Sequence, residues 1–500
     1  MHGKIVGIAV IMTILSPSII PVSSQNELAI NEANWKELMS ADEKIEFCKG
    51  SNVAIRGMAV YKDELYLGTQ SFNQKNVLSY KDIILAGFFP LFLKLFKNQG
   101  SLLELIACKM IFRFMHLRSR ASDGCQVWKY NYSDDKCTQL VGPNPDADLP
   151  AGFGDTKTIA ASIIIEFKGD LYVGTWNTPK GIGGELWRYD GNSWEQVVGR
   201  NAKINGGFNN SDNNAFWSAE SFNDHLYIGT MNWNCINEGG CQIWRSEDGN
   251  TWEKVVDRGF RDFLPENQQF FHNSYAWDLK VYKDKLYAGT FNCNSLFKLP
   301  EGGCQLWRTD DGENWEKVDI PNGNGFGNEE NYGIRRMEVY KDELYVAVAA
   351  NAYQFNGENV QACELWKYDG MNWTQIIGDQ QTNPYEKDGF GSRYNKYIWS
   401  MTVTSDDYLW VGTLNTQHLR FMNEDTKGCE VWRYDGSKWE PIAKTGEGEI
   451  DSGFGYGLTQ GARAMIEYPI GSNNIVIGTF TMVKPWMQKR PCDIWTRYYE

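Results

Sequence analysis

Histidine is scarce in this 500-residue chain: there are 5, and none is spaced to share an ion with another ligand. That excludes a zinc centre or another imidazole-rich metal site from expectation, because such sites draw on His and Cys at set spacings. No metal and no cofactor is expected. Positive charge is in deficit as well. The 49 Lys and Arg stand against 63 Asp and Glu, a formal net charge of −14. Nucleic acid requires a clustered basic face, so no nucleic-acid partner is expected. Long uninterrupted apolar runs are also missing. The first, Ile5 to Leu15, is too short to span a bilayer comfortably.

That run reads instead as targeting sequence. Lys4 supplies the positive flank, and Val22-Ser23-Ser24 offers a small-residue cleavage site ahead of Gln25. The expectation is a signal peptide over 1–24 and an exported mature chain over 25–500, secreted or at the cell surface. A retained anchor is the alternative if the following Ser/Pro/Ile stretch is included. Export suits the 11 cysteines, since disulfides persist outside the cytosol. Two pairs look local, Cys235–Cys241 and Cys293–Cys304, one repeat apart. The pairing of the other seven is not legible, and several read equally as small buried hydrophobes. Three sequons, at Asn131, Asn209 and Asn372, offer glycosylation sites after export.

Aromatic residues are plentiful, with 20 Trp, 25 Tyr and 25 Phe, and they fall in a repeat. Tyr275 to Val318 reads as four short strands, and its pattern recurs seven times. Each copy carries a Phe, at Phe47, Phe153, Phe208, Phe260, Phe326, Phe390 and Phe454. Each carries Leu-Tyr-x-Gly-Thr or a degraded form, as in Leu65–Thr69 and Leu286–Thr290. A Trp follows a Cys or Gly by three residues at Trp128, Trp187, Trp244, Trp307, Trp366, Trp432 and Trp495. Asp-Gly-x-x-Trp closes five copies, from Asp190–Trp194 to Asp435–Trp439. Alternation over these short segments predicts half-buried strands. Asp-Gly supplies the positive dihedrals of a tight hairpin. Most of the tryptophans thus read as packing.

Ser246-Glu247-Asp248-Gly249-Asn250-Thr251-Trp252 and Thr309-Asp310-Asp311-Gly312-Glu313-Asn314-Trp315 resemble the Asp-box of sialidases and related propellers. The whole pattern resembles a seven-bladed β-propeller of the kelch and Asp-box kind. The resemblance implies architecture only, because an Asp-box is a folding turn on the face away from an active site. The expected fold is all-β, a seven-bladed β-propeller over 25–500. Asn34-Trp35-Lys36-Glu37-Leu38 repeats the fourth-strand phrase, and the seventh copy stops after its third strand. The N-terminal strand is therefore expected to close the last blade.

Aligning the copies places one residue of each near the start of the innermost strand: Arg56, Ser162, Trp217, Trp277, Arg335, Trp399 and Arg463. Four residues earlier stand Asn52, Thr158, Asn213, Asn273, Asn331, Asn395 and Thr459. The second strands end near Asn177, Asn232, Asn292 and Asn415. The expected channel mouth is thus rimmed by Arg, Trp and amides, with Asp278, Arg336, Glu329 and Glu330 as departures from regularity. Arginine forks onto carboxylate, indole stacks on sugar faces and amides bond hydroxyls, so a glycan or a protein is the expected ligand. The competing reading is structural, with Asn tying loops to backbone.

No catalytic constellation is evident. A ligand-binding propeller is the main reading, with a glycan-active hydrolase or lyase as an alternative. A helical insertion is expected between the second and third strands of the first blade, over 76–123. Between Lys81 and Arg120 it carries seven basic residues against Asp82 and Glu104, opposite in sign to the whole chain. Residues 83–115 read as a cationic apolar helical pair for an anionic membrane surface or a partner, or as a lid over the channel. A membrane-attached interaction scaffold is the second alternative.

Overall fold

The computed structural model describes residues 35–39, 51–72, 122–178, 182–232, 239–265, 273–297, 301–352, 360–379, 381–419, 427–481 and 492–498. Phe47, Cys235, the expected signal segment and residues 76–121 of the expected insertion lie outside them. Among the described residues no helix is long and apolar enough to cross a membrane.

The architecture is all-β, a β-propeller arrangement of antiparallel hairpins. A lone N-terminal strand, β1 (Trp35–Met39), precedes β2 (Asn52–Tyr61), β3 (Glu64–Ser71), β4 (Val127–Asn131) and β5 (Lys136–Val141). The second unit is β6 (Thr158–Phe167), β7 (Asp170–Asn177), β8 (Leu186–Tyr189) and β9 (Trp194–Val198). The third is β10 (Asn213–Phe222), β11 (His225–Asn232), β12 (Ile243–Ser246) and β13 (Glu253–Val256). The fourth is β14 (Asn273–Tyr282), β15 (Lys285–Asn292), β16 (Leu306–Thr309) and β17 (Glu316–Lys317). The fifth is β18 (Asn331–Tyr340), β19 (Glu343–Ala350), β20 (Glu364–Tyr368) and β21 (Trp373–Ile377). The sixth is β22 (Asn395–Val403), β23 (Leu409–Asn415), β24 (Val431–Tyr434) and β25 (Trp439–Ala443). Last come β26 (Gly461–Glu467), β27 (Ile475–Phe480) and β28 (Ile494–Arg497).

Within each unit, strands pair in chain order. The last unit takes its outer strand from β1, with Trp35 opposite Arg497 and Glu37 opposite Trp495. Neighbouring units join at the centre. The residue after Gly-Thr on a second strand bridges the next first strand, as in Gln70 to Ala160 and Trp176 to Ala215. Phe480 of the last unit bridges Ala54 of the first, so the ring returns on itself.

The repeated residues have distinct mechanical duties. In Leu-Tyr-x-Gly-Thr, the glycine is where the next unit lies closest. A Cβ on Gly68 would sit 2.7 Å from Ala161 Cβ, and one on Gly478 would sit 2.4 Å from Ile55 Cβ. The threonine hydroxyl accepts the amide just before the third strand, from Gln126 to Thr69 at 2.8 Å and from Glu430 to Thr413 at 2.8 Å. Each described Phe of the Phe-Gly loops stacks on its unit's third-strand Trp, Phe208 on Trp244 at 4.6 Å and Phe390 on Trp432 at 4.8 Å. These phenylalanines have positive φ, 56° at Phe153 and 70° at Phe260. Such backbone is costly for a bulky side chain, and burial between two indoles holds it.

The expected disulfides do not form. Cys241 and Cys304 are free, buried thiols, so neither Cys235–Cys241 nor Cys293–Cys304 is a bridge. The reason lies in the repeat. Cys125, Cys241, Cys304, Cys363 and Cys429 occupy one framework position just before the third strand. There the Cys241 amide donates to Asn273 O at 2.8 Å, and its carbonyl accepts from Gly259 at 2.9 Å. Cys304 packs with Leu306 and Phe326, whereas Cys293 belongs to a separate cluster with Tyr275 and Phe291. Burial pushes the Cys241 and Cys304 thiols well up, so they behave as small hydrophobes.

Candidate functional site

In every unit the residue singled out on the first strand is the extra residue of a β-bulge. Ile55 pairs with Thr69 and Gly57 with Gly68, which leaves Arg56 unopposed. The same step in register skips Ser162, Trp217, Trp277, Arg335, Trp399 and Arg463. A bulge re-aims the side chain it carries and is common beside functional sites. Seven bulges at one height thus set seven side chains on one ring.

Aromatic groups fill the ring between the cations. Arg56 lies 3.9 Å over Trp217 and 5.3 Å over Trp176. Arg463 lies 4.1 Å over Trp399, and Arg335 lies 5.4 Å over Trp277. The rings themselves form a chain of contacts: Trp176–Trp217 at 5.6 Å, Trp217–Tyr275 at 4.9 Å, Tyr275–Trp277 at 5.8 Å and Trp277–Tyr397 at 5.8 Å. It continues through Trp399 to Phe480. The Tyr332 and Tyr397 hydroxyls are hydrogen-bonded to each other within it.

The three guanidiniums are short of negative charge. Burial, with Arg335 adding repulsion, lowers Arg56 to about 9. Burial also lowers Arg335 to about 10, with Asp278 opposing and Arg336 adding repulsion. Arg463 falls well below its ordinary value through burial first, then through Arg56 and Arg335. So the three feel one another. Among the described residues, none of the three has a carboxylate in an ion pair. Arg335 Nε, Arg463 Nε, Trp277 Nε1 and Ser162 Oγ are buried without a hydrogen-bond partner. Buried polar groups are nearly always paired, and four orphans on one ring ask for a ligand, an ion or water.

Asp278 stands one residue past its bulge. Its Oδ2 accepts the Met337 amide at 2.6 Å, and its Oδ1 lies 3.4 Å from Arg336 Nη1. Burial pushes its carboxyl up, against the pull of Arg336. Two residues further along the strand, Lys280 is paired with Glu338. Burial lifts nearby Glu220 to about 7, Lys280 opposing. Beyond them, a cavity of about 420 Å³ opens among Lys280, Tyr282, Lys283, Glu338 and Asp342.

The amides expected at the rim are framework instead. Asn177 Nδ2 donates to Thr158 Oγ1 at 3.1 Å, Asn232 Nδ2 to Asn213 Oδ1 at 3.0 Å, and Asn415 Nδ2 to Asn395 Oδ1 at 2.9 Å. Asn292 Nδ2 donates to Gly303 O at 3.0 Å. The earlier ring likewise ties loops down, with Asn273, Asn331 and Asn395 donating to Gly259, Gly325 and Gly389. Glu330 accepts from Asn351 Nδ2 at 3.0 Å. The sequence reading missed Trp176, Tyr275, Tyr332, Tyr397 and Phe480. A signal was present: Trp176 and Phe480 directly follow Gly-Thr, and Tyr275 and Tyr397 stand two residues before their bulges. Among the described residues, no group of His, Cys, Asp or Glu is placed to hold a metal ion.

No protein-family profile and no curated protein matches the chain. Solved structures do resemble it. An ulvan lyase of a polysaccharide lyase family, PL25, aligns over 89% of this chain and 94% of its own, at 10% identity and TM-score 0.45. The Penicillium chrysogenum α-L-arabinanase complexed with arabinobiose covers 67% of this chain and 92% of its own, at 12% identity and TM-score 0.38. The Trypanosoma rangeli sialidase in complex with the inhibitor DANA covers 67% and 54%, at 10% identity and TM-score 0.38. At these levels the likeness is one of architecture, and no residue role transfers.

Proposed function

We propose that the seven units are the blades of a seven-bladed β-propeller whose channel mouth binds the carboxylate of an acidic sugar. The observation that carries this reading is the bulge ring: three guanidiniums with no carboxylate partner, beside orphaned donors and an aromatic collar. Arginine engages carboxylate through paired N–H bonds, and those bonds strengthen where water is excluded. Indole and phenol rings supply flat apolar surface for a pyranose, and the tyrosine hydroxyls meet its hydroxyl groups. A neutral ligand would leave the guanidiniums repelling one another, whereas an anion relieves them.

Isothermal titration with glucuronate tests it. Wild-type protein binds, and Arg335→Gln or Arg463→Gln weakens binding about tenfold or more, as loss of a charge-assisted contact should. Undiminished binding by both variants removes the ring from the site.

A second reading, an enzyme that cleaves the glycan carrying that sugar, is favoured by the Tyr332–Tyr397 hydroxyl pair. A hydroxyl beside a carboxylate neutralised by arginine is placed for proton transfer to or from the sugar. Incubation with uronic-acid polymers, followed by chromatography for shortened chains, separates binding from cleavage. The absence of products with wild-type protein rejects the enzyme for those polymers. Export and attachment of residues 83–115 to an anionic surface belong to the same proposal. Deleting that segment and finding unchanged vesicle flotation removes the attachment.

A further inference from the structure

The position just past the bulge differs between units in a way the scaffold does not require. It holds Gly57, Ile163, Ser218, Asp278, Arg336, Ser400 and Ala464 in turn, so only the fourth and fifth units bring charge. Where the residue is serine, its hydroxyl donates to a carbonyl of the next unit, Ser218 to Ala276 O and Ser400 to Ala462 O, both at 2.8 Å. Asp278 makes the corresponding crossing to the next unit by accepting the Met337 amide at 2.6 Å. An asparagine oxygen would serve that amide equally well. The negative charge is therefore surplus to that amide contact, and it sits behind a ring whose seven bulge residues include no anion. Its geometry is one-sided. The Arg336 side chain is 42% accessible, while the Asp278 side chain at 3.4 Å is only 7% accessible. The carboxylate thus acts on a ligand through its field, not by touching it.

We infer that Asp278, balanced by Arg336, tunes the charge selectivity of the channel mouth, lowering its affinity for a dianionic phosphate monoester more than for a monoanionic sugar carboxylate. The inference rests on the acidic-sugar reading above and narrows its substrate class. Arginine clusters bind phosphate as readily as carboxylate, so guanidiniums alone do not distinguish the two. A fixed negative charge behind them does. Its repulsion offsets part of the guanidiniums' pull on each ligand charge, so a dianion loses twice as much as a monoanion.

Titration of the full-length protein with glucuronate and glucose 6-phosphate, at fixed ionic strength and about pH 8 where the phosphate is doubly ionised, tests it. Wild type binds glucuronate. Asp278→Asn tightens both, the phosphate by about tenfold more than the carboxylate. An unchanged ratio overturns the inference while the acidic-sugar reading stands. Failure of wild type to bind either probe overturns both. If Asp278→Asn loses its aromatic circular dichroism, Arg336→Gln carries the test. That variant leaves Asp278 uncompensated, so glucose 6-phosphate weakens about tenfold more than glucuronate. Equal weakening of the two overturns the inference.

Discussion

Glu364 occupies a position that three other units fill with Gln126, Gln242 and Gln305. In each case one side-chain oxygen accepts the indole N–H two residues on, at 2.8 Å for Trp366 and 3.1 Å for Trp307. Glu364 also accepts from Asn331 at 3.0 Å, yet burial dominates and raises its carboxyl above the ordinary 4.5. The sign follows from linkage. The folded state holds that proton more tightly than the unfolded chain does, so its contribution to stability is lost as pH rises above about 4.5. Glu364→Gln should therefore flatten the fall in melting temperature between about pH 4.5 and neutrality. Calorimetry at the two pH values checks this, and an unchanged slope refutes it. The turn aspartates act in the opposite sense. Asp248 is lowered to about 2, chiefly because its carboxylate accepts the Thr251 and Asn250 amides. Asp369 is lowered to about 2 by the Asn372 and Met371 amides. Their stabilisation is present above about pH 4 and is lost as pH falls from there towards 2. Asp248→Asn plus Asp369→Asn should flatten that acid limb in the same calorimetric series. These turns were legible in the sequence, because Asp-Gly has a local reason to exist. The cysteines were not. Spacing alone suggested bridges, whereas Cys241 and Cys304 answer to a backbone position that five units fill with a free thiol.

The first strand is the element where site and scaffold meet. Its side chains alternate against two neighbouring units, and the bulge interrupts that alternation to re-aim one residue. The facing glycine allows the next strand to press close. Gly478→Ala sets a methyl 2.4 Å from Ile55 Cβ at the joint between the last unit and the first. Overpacking of this kind should cost about 1–3 kcal/mol, read as a shift in the urea midpoint with unchanged slope. The fifth unit tolerates Ala347 at the matching position, so the cost is specific to how closely each pair of units approaches. Repeat alignment found the bulge residues because five of them stand nine residues before Leu-Tyr-x-Gly-Thr, and Trp399 and Arg463 stand ten and twelve before its degraded forms. It did not find the bulges, which depend on pairing with another strand and leave no mark on a single strand's periodicity.

At the scale of the molecule, the ring is held shut by an element from the opposite end of the chain. Trp35 Nε1 donates to Glu449 at 2.9 Å, and the same carboxylate is gripped by Arg497 at 2.7 Å through both Nε and Nη2. The Trp35 ring also meets Phe454 edge-on at 5.9 Å. Trp35→Ala empties this joint and should destabilise the protein by about 3 kcal/mol, measured by equilibrium unfolding. Closure matters for function as well. Arg56 comes from the first unit, Arg335 from the fifth and Arg463 from the last, and only a closed ring brings them within reach of one another.

The amino-acid sequence by itself determined the strands, their hairpins and the repeat, because hydrophobic alternation, Asp-Gly turns and Phe-Trp stacking are local or nearly so. It also determined which residue in each copy stands apart. Only the tertiary structure decided which of those residues act together. Charge repulsion, desolvation and orphaned donors are properties of side chains brought close from strands hundreds of residues apart, and no spacing along one chain encodes them. The asparagines show the converse. Their repetition suggested a binding rim, and folding used them as fasteners, because a buried amide is satisfied by its nearest framework partner before it can serve a ligand.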